Sequence, residues 1–305
     1  MNLAQFLNRF YQDLGEPNKN KFPQDLVIEW LDEVQNDLNL ATKSIKGNSI
    51  LDAVVDQRLY TWPTDAIQWD LRKVYLATGT NVNEREELPP VGIDVLDEND
   101  SDWRTDTGTP CYFYVEQDEG KYGLYPTPNS LSIYTNAIRL VYPKTHTKMV
   151  NYYETGTVSV TNASAIVTGS GTTFTGNVSV GDKFGVGALL NRSTAFPKIW
   201  FEVQSVDSDT QLTLTANYSG ATDSGQSFIT AQESSITDKE LNLACLDLMK
   251  AKAKEKDKQF DLVTYFEAKA RSRAEDRGYE LDYLPDARDM NAPMKRNKSG
   301  DYGHS

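Results

Sequence analysis

Thr157-Val-Ser-Val-Thr161 alternates polar and apolar residues, and the same alternation returns in Trp200-Phe-Glu-Val-Gln-Ser-Val206 and Gln211-Leu-Thr-Leu-Thr215. A period of two is typical of β-strands that bury one face. These runs lie within residues 155–231, where Thr, Ser and Gly supply 32 of 77 residues and neither Met nor Cys occurs. The segment therefore predicts a small all-β module, either a barrel or a sandwich.

Helical patterns flank this module on both sides. Towards the N-terminus, two apolar stripes with a helical period precede it, the first ending at Gly15 and the second starting near Pro23. Towards the C-terminus, Thr237-Asp-Lys-Glu240 is typical of a capping box in which Thr237 caps a helix. Two further apolar stripes follow, made of Leu241, Ala244, Cys245 and Leu248 and then of Phe260, Val263, Phe266, Ala270 and Ala274, with Gly278 as a stop signal.

Short aromatic and β-branched runs occupy the remaining region, as in Arg58-Leu-Tyr-Thr-Trp62, Cys111-Tyr-Phe-Tyr-Val115 and Asn136-Ala-Ile-Arg-Leu-Val-Tyr142. We predict an α+β fold in which the N- and C-terminal helices pack as a helical bundle with a small antiparallel β region, plus the inserted all-β module. The predicted domains are a discontinuous core of residues 1–154 and 232–284, the module of residues 155–231, and a flexible C-terminal tail of residues 285–305.

The charge of −13 is unevenly spread. Residues 84–106, called the acidic segment below, carry nine acidic side chains against two arginines. Such a surface repels DNA phosphates. We therefore expect that the protein does not bind DNA, even where it lies next to DNA. The lysine-rich run of residues 250–258 lies within residues 233–277, where ten basic residues balance ten acidic ones, and it predicts a solvated helix face.

No signal-peptide pattern and no apolar run of membrane-spanning length occurs in the sequence. We therefore expect a soluble protein that is made in a cytoplasm and is not anchored to a membrane. Cys111 and Cys245 show neither a metal-like spacing nor the spacing of a disulfide framework, and Cys245 is expected to be buried on a helix.

Patterns for catalysis are weak. His146 and His304 have no motif partners and are expected at the surface. Gly169-Ser-Gly171-Thr-Thr-Phe174 places phenylalanine where a dinucleotide fingerprint needs glycine, so we expect a turn there. Asp97-Glu-Asn-Asp-Ser-Asp102 lacks the central glycine of a calcium loop and predicts a solvated acidic loop. We predict no enzyme activity, no cofactor and no metal site, while a carboxylate pair that cleaves glycans stays an alternative.

Four motifs, taken in order, resemble those of the head-to-tail adaptor (connector) proteins of tailed bacteriophages. They are Tyr60-Thr-Trp-Pro63 with Asp65, Gly108-Thr-Pro110-Cys-Tyr-Phe-Tyr114, Gly123-Leu-Tyr-Pro-Thr-Pro128 and the strand Ile138-Arg-Leu-Val-Tyr142. Trp62 departs from the leucine usual in that family, and residues 155–231 are additional to it. That insert is similar to the small β-barrel modules of phage tail and virion proteins.

The resemblance implies a virion protein at the head–tail interface, with the portal protein and tail or nozzle proteins as partners. It also implies a ring of about twelve copies around a channel for DNA. An acidic channel wall suits such a ring, and the sequence leaves open whether the acidic segment faces the channel. The insert is expected to decorate the ring, to contact tail fibres or to brace neighbouring subunits.

Similar proteins grip the portal with a C-terminal arm, and the corresponding apolar residues here are Tyr279, Leu281, Tyr283 and Leu284. These four are the predicted portal-binding residues; the alternative is that they cap the helical bundle. A tail-fibre or baseplate attachment protein, with the β module as its binding element, is the alternative function.

Overall fold

The computed structural model describes residues 1–16, 19–67, 73–77, 79–189 and 195–279, and its fold is α+β, as predicted. The described helices are α1 (Leu3–Leu14), α2 (Gln24–Thr42), α3 (Ile93–Asn99), α4 (Lys239–Lys256) and α5 (Phe260–Glu275). By its internal contacts the chain divides into two units. The first unit comprises Met1–Thr42 with Thr147–Ser305, and the second comprises Lys43–His146. The domain boundaries expected from composition stay a prediction.

The ends of the helices follow from local hydrogen bonding. Asn2 and Gln5 form a reciprocal capping box at the start of α1, and Gly15 ends that helix in the left-handed conformation with φ 70°. The prediction that Thr237 caps α4 is wrong. The Asp238 carboxylate is the cap, and it accepts hydrogen bonds from the backbone of Glu240 and Leu241. A carboxylate is favoured there because it also faces the positive end of the helix dipole.

Helix α4 lies at the centre of the helical part of the first unit. It contacts α1, α2 and α5, and every residue from Leu241 to Ala251 is buried, so this part of the helix is buried on all its sides. The predicted packing of N-terminal against C-terminal helices is therefore confirmed. Aromatic residues of α1 and the following segment are buried, and the Phe10 and Phe22 rings meet edge-on with 6.0 Å between their centroids.

The described part of the first unit also contains an eight-stranded antiparallel sheet, in the order β10-β17-β13-β14-β15-β12-β11-β16. Its apolar side chains form one cluster around Phe174, Phe184 and Phe228. The strands predicted by alternation are present as β11, β14 and β15. The bounds are β10 Tyr152–Tyr153, β11 Thr157–Val160, β12 Ile166–Ser170, β13 Lys183–Val186, β14 Phe201–Ser208, β15 Gln211–Leu214, β16 Asp223–Gln226 and β17 Phe228–Ala231.

Within its described residues, the second unit forms three smaller sheets. One has the order β1-β9-β3-β4, one has β2-β7-β6, and β5 pairs with β8. The inner faces share a core of Val74, Tyr122, Ile138 and Leu140 with their neighbours. The bounds are β1 Lys46–Leu51, β2 Leu59–Thr61, β3 Lys73–Ala77, β4 Arg85–Leu88, β5 Thr107–Gly108, β6 Tyr112–Glu116, β7 Lys121–Tyr125, β8 Thr127–Pro128 and β9 Ile138–Pro143.

Two cross-strand pairs in this unit place a tyrosine ring over a glycine. Gly47 lies opposite Tyr142 between β1 and β9, and Gly123 lies opposite Tyr114 between β7 and β6. A Cβ atom added at Gly47 would lie 2.4 Å from the Tyr142 ring. Only a residue without a side chain leaves room for the ring to lie flat on the neighbouring strand.

Within the described ranges, none of the helices combines the length and the apolar character needed to cross a membrane.

Candidate interaction surfaces

The acidic segment is folded and mostly exposed. It runs through β4, helix α3 and a short 3-10 turn, Trp103–Thr105. Asp94 and Glu98 lie one helical turn apart on α3, and both are exposed. The predicted loop is wrong at Asp97, Glu98 and Asn99, which lie in α3, although all three are exposed. The Asp97 carboxylate accepts hydrogen bonds from Arg104 at 2.6 Å and from the Trp103 indole at 2.7 Å.

The Arg104 guanidinium, followed by the Trp103 indole, lowers the pKa of the Asp97 carboxyl below its usual value. The carboxylate is therefore held ionised by partners that belong to the same segment. Arg104 also lies over the Trp103 ring, 4.4 Å from its centroid. This local pairing neutralises one of the negative charges of the acidic segment and fixes the end of α3.

A buried aromatic cluster anchors the acidic segment. Trp103 is 1% exposed and meets the Tyr114 ring edge-on, with 5.0 Å between the ring centroids. Tyr125 also meets Trp103 edge-on, with 5.9 Å between the ring centroids, and donates a hydrogen bond to Asp106. Tyr114 and Tyr125 belong to motifs that carry the adaptor resemblance. Those motifs therefore support the exposed acidic segment from beneath.

The Tyr60-Thr-Trp-Pro63 motif is likewise part of the core. The Tyr60 ring stacks on Tyr122 with centroids 5.6 Å apart, and Trp62 meets the same ring edge-on. Asp65 accepts a hydrogen bond of 2.8 Å from the Tyr142 hydroxyl and lies 2.9 Å from the Lys144 ammonium. That ammonium lowers the pKa of the Asp65 carboxyl. These motif residues therefore have structural roles in the second unit.

Sequence reasoning missed a basic surface on the sheet β1-β9-β3-β4. Residues alternate between the two faces of a strand, so the residues beside the buried Val74, Leu140 and Tyr142 point outward. The exposed cations of that face are Lys46, Lys73 and Arg139, and the opposing carboxylate within these strands is Glu87. Arg85 of β4 lies on the same face but is partly buried, and its guanidinium donates a hydrogen bond to the Asn136 carbonyl. We call this surface the basic face. No local pattern reveals it, because its residues come together only when distant strands pair.

Charged side chains of the basic face are held in place by contacts with their neighbours on the same face. Arg139 donates a hydrogen bond of 3.1 Å to Asn48 and lies over the Tyr75 ring, 5.7 Å from its centroid. Lys73 lies 2.9 Å from the Glu87 carboxylate, and both side chains are about half exposed. Ile50 is 49% exposed on the same face. The surface thus combines fixed cations with an aromatic ring and an exposed aliphatic side chain.

Of the four predicted portal-binding residues, Tyr279 lies in the described part of the chain. It is half-buried, and its backbone N–H donates to the Ala274 carbonyl at 3.0 Å, just after the end of α5. Leu281, Tyr283 and Leu284 lie outside the described residues, as does the predicted tail of residues 285–305. The structure therefore locates only the start of the predicted arm.

The predicted apolar stripe of α5 is wrong at Phe260, which is 63% exposed. The buried residues of α5 are Ala268, Ala270 and Ala274. Small side chains let α4 and α5 approach closely, so the alanines make the contact. Larger residues near the start of α5, Leu262 and Tyr265, are 41% and 44% exposed.

A network of charges links α1, α4 and α5. Asp247 is 2% exposed and accepts hydrogen bonds from Arg273 Nε at 2.9 Å and from Lys250 Nζ at 3.2 Å. Lys250 also lies 2.6 Å from Asp13 of α1, and Arg273 lies 2.8 Å from Glu240. The prediction of a solvated lysine-rich face is therefore wrong at Lys250, which is 6% exposed.

Other candidate chemical groups are dispersed. His146 is half-buried, and His304 lies outside the described residues. Among the residues that the structure describes, no three His, Cys, Asp or Glu side chains are grouped so that they could hold a metal ion. Cys111 and Cys245 are free thiols, and burial raises the pKa of the Cys245 thiol to about 12.

The described part of the second unit thus presents an exposed acidic segment and a basic face, and Tyr60, Trp62 and Tyr114 of its motifs are packed in its interior. The sequence model of the SU10 adaptor protein family matches residues 1–162, more than half of the chain. The chain belongs to this family, and it is a phage adaptor-type structural protein of the virion. No curated protein matches it. The family match ends within the β module, so helices α4 and α5 lie outside it.

Proposed function

We propose that the protein is a head-to-tail adaptor of a tailed bacteriophage, which forms a closed ring and joins the portal protein to the tail. The observation that carries the proposal is the family match over residues 1–162, which spans α1, α2 and the whole second unit. Closed rings are built by repeating one contact between two different surfaces, and we expect about twelve copies. The protein acts through assembly and not through catalysis.

Viral DNA passes through this ring without specific binding. The overall charge of −13 supports that role, since a negatively charged protein repels the phosphate backbone and does not hold it back. Tail or nozzle proteins contact the opposite end of the ring from the portal. The β module provides further surface for neighbouring subunits or tail fibres.

The proposal is tested by native mass spectrometry of the protein alone and mixed with the portal ring of the same phage. We expect a complex of about twelve copies on the portal, as a closed cyclic assembly requires a fixed copy number. A stable trimer or hexamer that ignores the portal would refute the adaptor role. That result would instead favour attachment of tail fibres or a baseplate.

A C-terminal arm that starts at Tyr279 grips the portal in this proposal. Deletion of residues 279–305 removes Tyr279, Leu281, Tyr283 and Leu284 while α5, which ends at Glu275, stays intact. We expect the truncated protein to lose portal attachment and to keep the helical content and melting temperature of the full chain. Full attachment by the truncated protein would assign these residues to the helical bundle instead.

A further inference from the structure

We propose that the basic face of one copy docks against the exposed carboxylates of helix α3 in a neighbouring copy, and that this contact closes the ring. The inference rests on the proposed function, because a ring requires two different surfaces that fit each other. Both surfaces belong to the second unit of the chain. Each copy therefore carries the two halves of one repeated contact.

Charge complementarity identifies the occupant of the basic face. The face carries three exposed cations, with the partly buried Arg85 beside them, against the single carboxylate of Glu87 within these strands, in a chain whose total charge is −13. A partner with exposed negative charge is required, and α3 of a second copy offers Asp94 and Glu98, which are both exposed. Asp118 is also exposed and lines a groove of ≈ 390 Å³ together with Asp94.

The form of the basic face also suits a protein partner. Arg139 is held by Asn48 and the Tyr75 ring, so its guanidinium is already ordered before contact. The exposed Ile50 adds apolar area beside it. Exposed Val95 on α3 offers a matching apolar side chain next to Asp94. An interface with an apolar centre and a charged rim is the usual form of a specific protein contact.

DNA is the competing partner for a basic surface. The phosphate backbone binds cations without regard to apolar neighbours, and the remaining charge of the chain opposes it. A second copy is therefore favoured. This assignment places Asp94 and Glu98 against a neighbour and not at the surface of the channel.

Two charge-reversed variants test the inference. The first, Lys73→Glu with Arg139→Glu, makes the basic face acidic; the second, Asp94→Lys with Glu98→Lys, makes α3 basic. Each variant alone opposes like charges at every contact, so we expect its ring population on the portal to fall on the order of tenfold or more. Mixed in equal amounts they are complementary at every contact, and we expect rings of alternating copies to return.

A matched control separates the contact from a general effect of charge. Lys121→Glu reverses another lysine of the second unit, which is partly exposed and lies 3.0 Å from Glu119 much as Lys73 lies 2.9 Å from Glu87. We expect this variant to assemble like the wild type. Circular dichroism and the melting temperature show whether each variant is folded, and recovery in the mixture itself requires folded chains.

The outcomes are distinguishable. Rings lost in each variant and regained in the mixture support the inference. Rings that persist in both variants overturn it and leave the adaptor role standing. Loss of binding to double-stranded DNA with rings intact also overturns it and assigns the basic face to DNA. A wild-type chain that forms no ring, alone or on the portal, refutes the proposed function and this contact with it.

Discussion

Replacement of Asp247 by asparagine is expected to destabilise the first unit strongly. The side chain keeps its size but loses its charge, so Lys250 and Arg273 lose their shared buried partner. Removing one member of a buried ion pair costs about 3–5 kcal/mol, because the remaining charge is left uncompensated. We take the lower end, about 3 kcal/mol, because Lys250 keeps Asp13 and Arg273 keeps Glu240.

The assay is urea unfolding followed by circular dichroism at 222 nm, with the change in midpoint converted through the measured slope. A loss of about 3 kcal/mol also lowers the melting temperature by roughly 6–12 °C for a unit of this size. Glu240→Gln is the matched control, because Glu240 is 37% exposed in its own pair with Arg273. We expect that control to cost less than about 1 kcal/mol.

A double-mutant cycle with Lys250→Met locates the effect. If Asp247 and Lys250 are coupled as the structure indicates, the double variant is more stable than the sum of the single effects implies, by about 1 kcal/mol or more. Equal costs for Asp247→Asn and Glu240→Gln would refute the reasoning. The burial of the Asp247 carboxylate would then make no difference to the free energy of unfolding.

Three further predictions concern packing, thiol accessibility and pH. Gly123→Ala places a Cβ atom 2.1 Å from Tyr114 Cζ, so we expect the free energy of unfolding to fall by about 1–3 kcal/mol and the near-ultraviolet circular dichroism signal to weaken. An unchanged melting temperature would contradict this packing. A thiol reagent should label Cys111, which is exposed, and spare Cys245 until the chain unfolds; labelling of both thiols in the native protein would show that Cys245 is accessible. Burial raises the pKa of Tyr11 and of Tyr114 to about 12, so the unfolded chain releases these protons near pH 10 and the folded chain holds them longer. Stability should therefore fall as pH rises from 10 to 12, and a flat unfolding midpoint over that range would count against the burial of both hydroxyls.

Much of the fold follows from local pattern. The period-two runs of the β module appear as β11, β14 and β15, and the apolar stripe of α1 with Gly15 as its end appears as predicted. The burial of Cys245 also follows from its place in a helical stripe. These features depend on neighbours within a few residues, and a sequence displays those neighbours directly.

Other features were decided by tertiary packing alone. Phe260 fits the apolar period of α5 but is exposed, because the alanines of that helix make the contact with α4. Lys250 belongs to a charged run whose composition predicts a solvated helix face, yet Lys250 is buried. The reason is that Asp13 of α1 and Phe266 of α5 pack beside it. Exposure depends on what packs against a residue, and that partner is distant in sequence.

The candidate interaction surfaces divide in the same way. The acidic segment is visible in the sequence, since its charges lie within 23 consecutive residues. The basic face is not visible, because Lys46, Lys73 and Arg139 become neighbours only through the pairing of β1, β3 and β9. Charge that is contiguous along the chain is determined by the sequence alone. Charge that is contiguous on a sheet exists only once the strand order and register are set, because hydrogen bonding between strands brings remote residues within about 5 Å of each other.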